Sequence, residues 1–107
     1  MLSKNLRFKN FNFELFFKEG TKLKNNYFLI YKIKNNEKRF CVSVPEKVSK
    51  LAVCRNRIKR KIYEVIRLNI EKISPGYYLI IVLSNIKNFK LKEIEDKLIY
   101  LLNKFKF

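Results

Sequence analysis

The arginines of this 107-residue chain are concentrated in one short region. Four of its six arginines lie between positions 55 and 67, and its other nineteen basic residues are lysines. An arginine guanidinium binds a phosphate with two parallel N–H groups, whereas a lysine ammonium acts as a point charge. The segment 55–60, which reads Arg-Asn-Arg-Ile-Lys-Arg, therefore predicts binding to phosphates that are held in a fixed geometry. Folded RNA presents its phosphates in this way.

A helix must hold the segment 55–60, and the apolar pattern predicts one over residues 50–72. Apolar side chains recur there at spacings of three and four residues, which is typical of a helix with one buried face. They are Leu51, Cys54, Ile58, Ile62 and Val65. Opposite this stripe, a rotation of about 100° per residue places Asn56, Arg60, Tyr63 and Arg67. Arg57 and Lys61 flank that sector on one side, and Arg55 and Lys59 flank it on the other.

The cationic face of this helix predicts a polyanionic partner. Residues 47–61 contain seven basic residues and no acidic residue. Adjacent like charges destabilise a helix unless an anion neutralises them, and solvated helices usually mix both signs. We therefore predict that this face binds RNA or another phosphate polymer. The predicted contacts are Arg55, Asn56, Arg57, Lys59, Arg60, Lys61 and Arg67.

The overall composition favours one basic, folded domain. The net charge of +16 favours a polyanionic partner. The length predicts a single domain over residues 1–107, and the 48% hydrophobic content is enough for a packed interior. Residues 1–9 form a basic segment that is expected to be flexible. The alternative is a small soluble protein that happens to be basic. No apolar stretch approaches the ~20 residues of a membrane span. Cys41 and Cys54 are expected to be core thiols, which suits a reducing cytoplasm.

The remaining pattern predicts an α+β fold. The expected elements are a helix from Asn10 or Asn12 to Gly20, strands over 27–34, 39–44 and 77–83, and a last helix over 90–105. The first two strands are expected to pair as an antiparallel hairpin around Asn35-Asn36. This order of elements is typical of a sheet with helices packed on it.

Aromatic residues in the first third of the chain offer a second surface for RNA. Eight of the sixteen aromatics lie in the first 31 residues, and unpaired bases stack on such rings. A single strand would suit a groove lined by Phe13, Phe17, Tyr27 and Tyr31 and edged by Lys22, Lys24 and Lys32. The alternative is that these aromatics belong to the core, and for Tyr31 the sequence favours neither.

The chain lacks the residue types that catalytic sites use most. It has no histidine, the commonest general base, and only two glycines, too few for a glycine-rich phosphate loop. Glu93, Glu95 and Asp96 are close in sequence but have no partners at a metal-site spacing. We therefore predict no catalytic residue and no metal ligand on the protein, so that a partner would perform any hydrolysis.

Residues 50–60 resemble the signature of the bacterial ribonuclease P protein subunit. That family carries Ala-Val, one variable residue, and then Arg-Asn-Arg, Ile or Leu, and Lys-Arg on a long helix. Here Ala52-Val53-Cys54 precedes the same run. The early Phe13, Phe17 and Gly20 pattern, the strands and the closing helix also follow the family's order. The turn before the helix departs from the family, because residues 45–51 contain no glycine and one additional residue.

The resemblance implies a function for the two surfaces. The family's subunit joins a catalytic RNA, and the holoenzyme cleaves the 5′ leader from precursor tRNA with Mg²⁺ ions held mainly by the RNA and the substrate. The resemblance assigns Arg55, Asn56, Arg57, Lys59 and Arg60 to the catalytic RNA, and Phe13, Phe17 and Tyr31 to a cleft for the leader. No membrane and no obligate protein partner is implied.

The resemblance also implies a fold. It is a two-layer sandwich of a mixed sheet and three helices, of the ribosomal protein S5 domain 2-like type. Its strand–helix–strand crossover is left-handed, which is a rare exception among such connections.

Two other functions stay open on the sequence alone. A structural RNA-binding protein of ribosomal type would share this composition without a processing role. A membrane-surface or acidic-partner module would need cations on one helix face and exposed apolar residues on the other. The apolar stripe of the central helix is instead needed for the core.

Overall fold

The computed structural model describes residues 13–105, and its elements follow the predicted α+β class. They are α1 (Phe13–Glu19), β1 (Thr21–Lys24), β2 (Phe28–Ile33), β3 (Lys38–Ser43), α2 (Ala52–Leu68), β4 (Gly76–Val82) and α3 (Leu91–Leu102). A single 3-10 turn, Ile70–Lys72, follows α2. The predicted flexibility of residues 1–9 and the predicted helix cap at Asn10 or Asn12 lie outside the described residues.

Strand β4 occupies a central position in the sheet, whose order is β1-β2-β4-β3. It pairs with β2 antiparallel and with β3 parallel. The two strands predicted over residues 27–34 and 39–44 are β2 and β3, and they are not paired with each other, so the predicted hairpin is wrong. Strand β4 is almost entirely apolar, as is typical of a strand with neighbours on both sides. The short connection 34–37 carries the chain from β2, on one side of β4, to β3 on the other. The helix α2 forms the crossover from β3 to β4, and its left-handedness stays a prediction.

Strand β1 was missed by the sequence analysis. Its residues, Thr-Lys-Leu-Lys, pair antiparallel with β2, and only Leu23 is partly buried. Three of the four residues are polar because β1 is an edge strand. Charged side chains are common at sheet edges, where they hinder pairing with other chains.

The main core lies between one face of the sheet and the helices α2 and α3. The strands contribute Phe28, Ile30, Phe40, Val42, Tyr78, Ile80 and Val82 to it. The rings of Phe40 and Tyr78 stack with centroids 5.1 Å apart. The predicted stripe of α2 is buried at Cys54, Ile58, Ile62 and Val65. Leu51 is instead 69% exposed, because it precedes the first helical residue, Ala52. Ile66, which was not part of the predicted stripe, completes the buried face of the helix.

Helix α1 lies on the opposite face of the sheet. Tyr31 alternates with the core residues Ile30 and Lys32 along β2, and its ring lies 5.1 Å from that of Phe17. Phe16 is fully buried but does not belong to the main core. The predicted end of this helix near Gly20 is confirmed, because α1 ends at Glu19. A side chain does not fit at position 20, since a Cβ there would lie 2.4 Å from the Phe16 carbonyl oxygen.

The sheet face that carries α1 is called the open face below. Its residues are Lys22, Lys24, Leu29, Tyr31, Ile33, Arg39, Cys41, Ser43, Tyr77, Leu79 and Ile81. Several of its side chains are only partly buried, including those of Tyr31, Arg39 and Tyr77. The fold therefore presents two separate surfaces to a partner, the outer side of α2 and the open face.

Candidate nucleic-acid interface

The outward side of α2 carries the most accessible of the predicted RNA contacts. Asn56, Arg57 and Arg60 are exposed, and they fall within a sector of about 100° on the helix. Within the described part of the chain, neither guanidinium has a carboxylate or a hydrogen-bond acceptor as partner. Val53, which is 69% exposed, lies one turn earlier in the same sector. This cluster, the Arg57–Arg60 face, can bind phosphates without first breaking an ion pair.

Arg55 has a different position from the other arginines of the segment. Its Nη1 donates hydrogen bonds to the carbonyl oxygens of Ser49 and Lys50, at 3.0 and 2.9 Å. The side chain is therefore folded back over the turn that precedes α2. This contact stabilises a helix start that has no side-chain cap and no acidic residue in its first turn.

Lys61 connects α2 to the segment that leads into α3. Its Nζ donates to the carbonyl oxygen of Lys87 and, at 3.0 Å, to that of Phe89. A charged donor between two backbone carbonyls holds the two segments together more strongly than a neutral pair would. The structure therefore gives Lys61 partners within the protein, although its sequence position predicted an RNA contact.

Arg67 is exposed but paired. Its guanidinium donates two hydrogen bonds to the carboxylate of Glu64, one of them from Nε to Oε2 at 3.1 Å. The hydrogen bond from Arg67 lowers the pKa of Glu64, and the same contact raises the pKa of Arg67. A phosphate at this position would have to compete with Glu64.

Lys59 and Tyr63 lie where α2 passes the edge strand β3. The Val42 amide donates to the Tyr63 hydroxyl at 3.2 Å, so Tyr63 covers the edge of the sheet. The predicted outward position of Tyr63 beside Arg60 is therefore wrong. The pKa of Cys41 on the open face is raised by burial, and the positive charge of Lys59 offsets part of this increase. The electrostatic effect of the cationic helix therefore extends to the open face.

On the open face, the structure brings two of the predicted aromatics together. Phe17 is 54% exposed and contacts Tyr31 with ring planes tilted by 58°. Lys22 lies opposite Tyr31 in the register of β1 and β2. Phe17 and Tyr31 therefore form an accessible aromatic pair with a cation beside it. The side chain of Phe13, also predicted to line this groove, lies outside the described residues.

Tyr27 does not line the groove with Phe17 and Tyr31. Its ring packs edge-on against Phe89 at 5.5 Å, and the Lys97 ammonium lies 5.0 Å from its centroid, so it contacts the α3 side of the molecule. Tyr27 precedes β2, so its side chain does not follow the alternation of the strand that places Tyr31 on the open face. The Asn25 side chain accepts the amides of Tyr27 and Phe28 in a turn.

The predicted position of Lys32 at the edge of this groove is wrong, because Lys32 is fully buried on the core face. Its Nζ donates to Ser74 Oγ at 2.9 Å and lies 5.2 Å from the Tyr78 ring centroid. Burial lowers the pKa of this lysine. Gly76, at φ 156°, leaves the space that the lysine stem needs, since a Cβ there would lie 2.6 Å from Lys32 Cε.

The acidic residues of the described chain do not form a cation site. No group of three or more potential metal ligands occurs between residues 13 and 105. Glu95 accepts from Asn69 Nδ2 at 3.1 Å and pairs with Lys92, which also pairs with Asp96. In that same range, none of the helices is long and apolar enough to cross a membrane.

Comparisons with known proteins agree with this arrangement over almost the whole chain. The sequence profile of the family described as Ribonuclease P matches residues 2–106. A ribonuclease P protein component of Fusobacterium nucleatum is 44% identical over 97 residues, covering 84% of this chain and 86% of the relative. One from Clostridium botulinum is 42% identical over 100 residues, covering 90% and 89%.

Solved structures show the same likeness in three dimensions. The RNase P protein of Thermotoga maritima superposes with a TM-score of 0.84 at 28% identity, covering 94% of this chain and 98% of that one. The RNase P protein of Staphylococcus aureus gives a TM-score of 0.80 at 29% identity, covering 94% of each.

Proposed function

The chain belongs to the ribonuclease P family of protein components, which work with RNA in tRNA 5′ processing, and on this premise we propose how its two surfaces divide that work. The Arg57–Arg60 face of α2 binds the catalytic RNA of the ribonuclease. The open face, with Phe17 and Tyr31, holds the single-stranded 5′ leader of precursor tRNA. The alternative of a purely structural ribosomal protein is not favoured by the comparisons.

The observation that carries this proposal is the difference between the cations of α2. Arg55, Lys61 and Tyr63 are each engaged within the protein. Arg55 holds the turn before the helix, Lys61 joins the middle of the helix to residues 87–89, and Tyr63 joins the helix to β3. Arg57 and Arg60 are exposed on the outer side. A planar guanidinium loses less side-chain freedom per hydrogen bond than an ammonium does, and the rigid helix fixes the spacing of the two arginines, so more of the contact energy appears as affinity.

The pair of Phe17 and Tyr31 suits a leader better than a duplex. An unpaired base has a free face that stacks on an aromatic ring, whereas a paired base is already stacked. Lys22 and Lys24 lie along the outer strand of the same face, where they would contact the leader phosphates. Because stacking uses no base edge, this surface would accept leaders of different sequence.

We place the cleavage chemistry in the RNA. The described residues of the protein do not fit a site for Mg²⁺, so the activation of water that such ions supply would come from ions held by the RNA and the substrate. The protein's own residues therefore act by binding: α2 fixes the protein on the RNA, and the open face places the leader relative to the cleavage site. Holding the leader in a fixed position lowers the activation free energy of its cleavage, because the reacting groups no longer have to find each other.

The test is cleavage of precursor tRNA by the ribonuclease P RNA of the same source at low Mg²⁺, with and without this protein. We expect the protein to produce cleavage at the mature 5′ end under conditions in which the RNA alone is slow. RNA binding without any stimulation would refute the processing role and support the structural alternative. A double variant with Arg57→Ala and Arg60→Ala should bind the RNA poorly and stimulate correspondingly less.

A further inference from the structure

A cavity of about 310 Å³ opens at the end of α2, outside both assigned surfaces. It is lined by residues 67–72, which are the last two residues of the helix, Asn69 and the 3-10 turn. Ligand pockets in proteins usually measure about 300–1,000 Å³. Resting on the proposed function of the Arg57–Arg60 face, we propose that this end cavity receives one extruded base of the catalytic RNA bound to that face.

The end cavity has an apolar wall that the fold leaves accessible. Leu68 is 56% exposed, although most large apolar residues of α2 belong to its buried side. Ile70 begins the 3-10 turn and packs against the main core, so its position is fixed. Single exposed leucines are common on protein surfaces, but this one borders a concave site next to a second aliphatic side chain. The two side chains together offer contact to the flat face of a base.

Asn69 offers the cavity a hydrogen-bond acceptor. The residue is only 6% exposed, and its Nδ2 donates to the Val65 carbonyl oxygen at 2.9 Å and to Glu95 Oε2 at 3.1 Å. Because both partners are acceptors, they fix the amide with its nitrogen towards them and Oδ1 away from them. Between residues 13 and 105, Oδ1 accepts no hydrogen bond, and no side-chain nitrogen or oxygen sealed from solvent lacks a partner. Oδ1 is therefore accessible, and the cavity that Asn69 lines is where a donor can reach it.

The charges of the cavity favour a base over a phosphate. Arg67, which lines the cavity, is paired with Glu64. The exposed residues Glu71 and Lys72 add one charge of each sign. A phosphate would be repelled by Glu71 and would compete with Glu64 for the arginine. A base is neutral and carries donors and acceptors on its edges, so it suits a site of mixed charge.

The end cavity is continuous with the face that is proposed to bind the RNA backbone. Arg67 follows Arg60 by seven residues, so it lies in almost the same direction on the helix, about 10 Å farther along the axis. An RNA strand whose phosphates contact Arg57 and Arg60 can therefore place a base at the cavity. The net charge of +16 favours such a polyanion over a free neutral ligand. Bases that are splayed out of a helix are the usual targets of specific RNA recognition.

The first test is binding of the catalytic RNA of the same source by Leu68→Ala. The change removes most of the apolar wall and introduces the best helix former, so the fold should be retained. We expect affinity to fall about three- to tenfold, as for half of a leucine side chain returned to water. The slope of log K against log [salt] should stay at the wild-type value, because no phosphate contact is lost.

Leu91→Ala is the matched control, because Leu91 is a leucine 41% exposed at the start of α3. It should bind the RNA as the wild type does. An unchanged affinity in Leu68→Ala, or an equal loss in the control, would overturn the base site.

Chemical probing of the bound RNA gives a second readout. In the wild-type complex, one nucleotide should combine a reactive 2′-hydroxyl, as expected for an extruded nucleotide, with a protected base edge. Leu68→Ala should remove the protection at that nucleotide alone. An RNA that lacks this base should bind the wild type about as weakly as intact RNA binds Leu68→Ala, and the two changes together should cause no further loss. Additive losses, or the absence of any protected base that depends on Leu68, would contradict the inference.

Failure of the proposed function has a different signature. If the double variant with Arg57→Ala and Arg60→Ala keeps the wild-type affinity and salt slope, α2 does not bind the RNA backbone, and the premise is refuted. If only the end cavity fails, the arginine variants still lose affinity and salt dependence, and Leu68→Ala behaves as the wild type.

Discussion

The Tyr63 hydroxyl accepts a hydrogen bond from the Val42 amide at 3.2 Å and so joins helix α2 to the edge of strand β3. Among the strands between residues 13 and 105, β3 is paired with β4 alone, so within that range this amide has no strand partner on its outer side. The contact removes an unpaired backbone donor and sets the distance between the cationic helix and the open face. Tyr63 therefore belongs to the framework that supports the interface.

Tyr63→Phe should destabilise the protein without changing its contacts to RNA phosphates. The variant leaves the Val42 amide without its acceptor, and we expect a loss of about 0.5–1.5 kcal/mol in the free energy of unfolding. Urea denaturation measures this loss, and Tyr100→Phe, at a site 66% exposed, is the matched control. A smaller salt dependence of RNA binding in Tyr63→Phe would contradict its framework role.

Arg57→Ala and Arg60→Ala should weaken binding to the catalytic RNA and reduce its dependence on salt. Each phosphate contact releases condensed counterions, so each lost contact should lower the slope of log K against log [salt] by roughly 0.7–0.9. Lys104→Ala removes an exposed charge beside Tyr100 and controls for net charge. A slope that stays unchanged in the arginine variants would place the RNA elsewhere on the protein.

The elements with a strong local signal were the ones that the sequence predicted well. The apolar spacing of Cys54, Ile58 and Ile62 determined the position of α2, and the Arg57–Arg60 face follows from it because side chains on a helix are fixed by their spacing. Gly20 likewise marked the end of α1 through a close contact that only glycine allows. In these cases the determining interactions are short-range.

The errors arose where distant segments compete. Asn35-Asn36 suggests a hairpin, but β4, which follows more than thirty residues later, inserts between the two strands. Lys32 was assigned to the groove because of its charge, although its alternation with Phe28 and Ile30 already places it on the core face. The inward bonds of Arg55 and Lys61 depend on backbone carbonyls that the sequence pattern does not locate.

Lys61→Met should act differently from the arginine variants. Methionine keeps the apolar stem but loses the bonds to the carbonyl oxygens of Lys87 and Phe89. Hydrogen bonds of charged groups contribute about 1.5–3 kcal/mol, so we expect a drop in the free energy of unfolding of this order at most. The salt slope of RNA binding should stay near the wild-type value. A slope reduced as far as in Arg57→Ala would show that Lys61 contacts a phosphate after all.

Tyr31→Ala should weaken binding of precursor tRNA more than binding of mature tRNA. The difference should be about 1–3 kcal/mol if one leader base stacks on this ring. Tyr27→Ala is the comparison, because Tyr27 packs against Phe89 on the other side of the sheet. It should lower stability and leave the discrimination between precursor and mature tRNA unchanged. Equal losses for both RNAs in Tyr31→Ala would make Tyr31 a packing residue.

Lys32→Met should change how the stability of the protein depends on pH. Burial lowers the pKa of Lys32 below its ordinary value of 10.5, so between the two values the unfolded chain binds more protons than the folded protein. Stability from this group therefore rises as the pH increases through that window, and it is lowest when the buried ammonium is fully charged.

In the comparison of wild type and Lys32→Met, the contributions of titrating groups that do not contact residue 32 cancel. Tyr78 does contact Lys32, and burial raises its pKa from the ordinary value of 10.0, so the comparison stays below pH 10.0, where Tyr78 is mostly neutral. The free energy of unfolding, measured by urea denaturation from neutral pH to below pH 10.0, should then rise more steeply with pH in the wild type than in the variant. Parallel curves would mean that the lysine keeps an ordinary pKa in the folded state. A shallower wild-type curve would mean that its ammonium is stabilised within the fold, because desolvation would then be outweighed by its contacts with Ser74 and the Tyr78 ring.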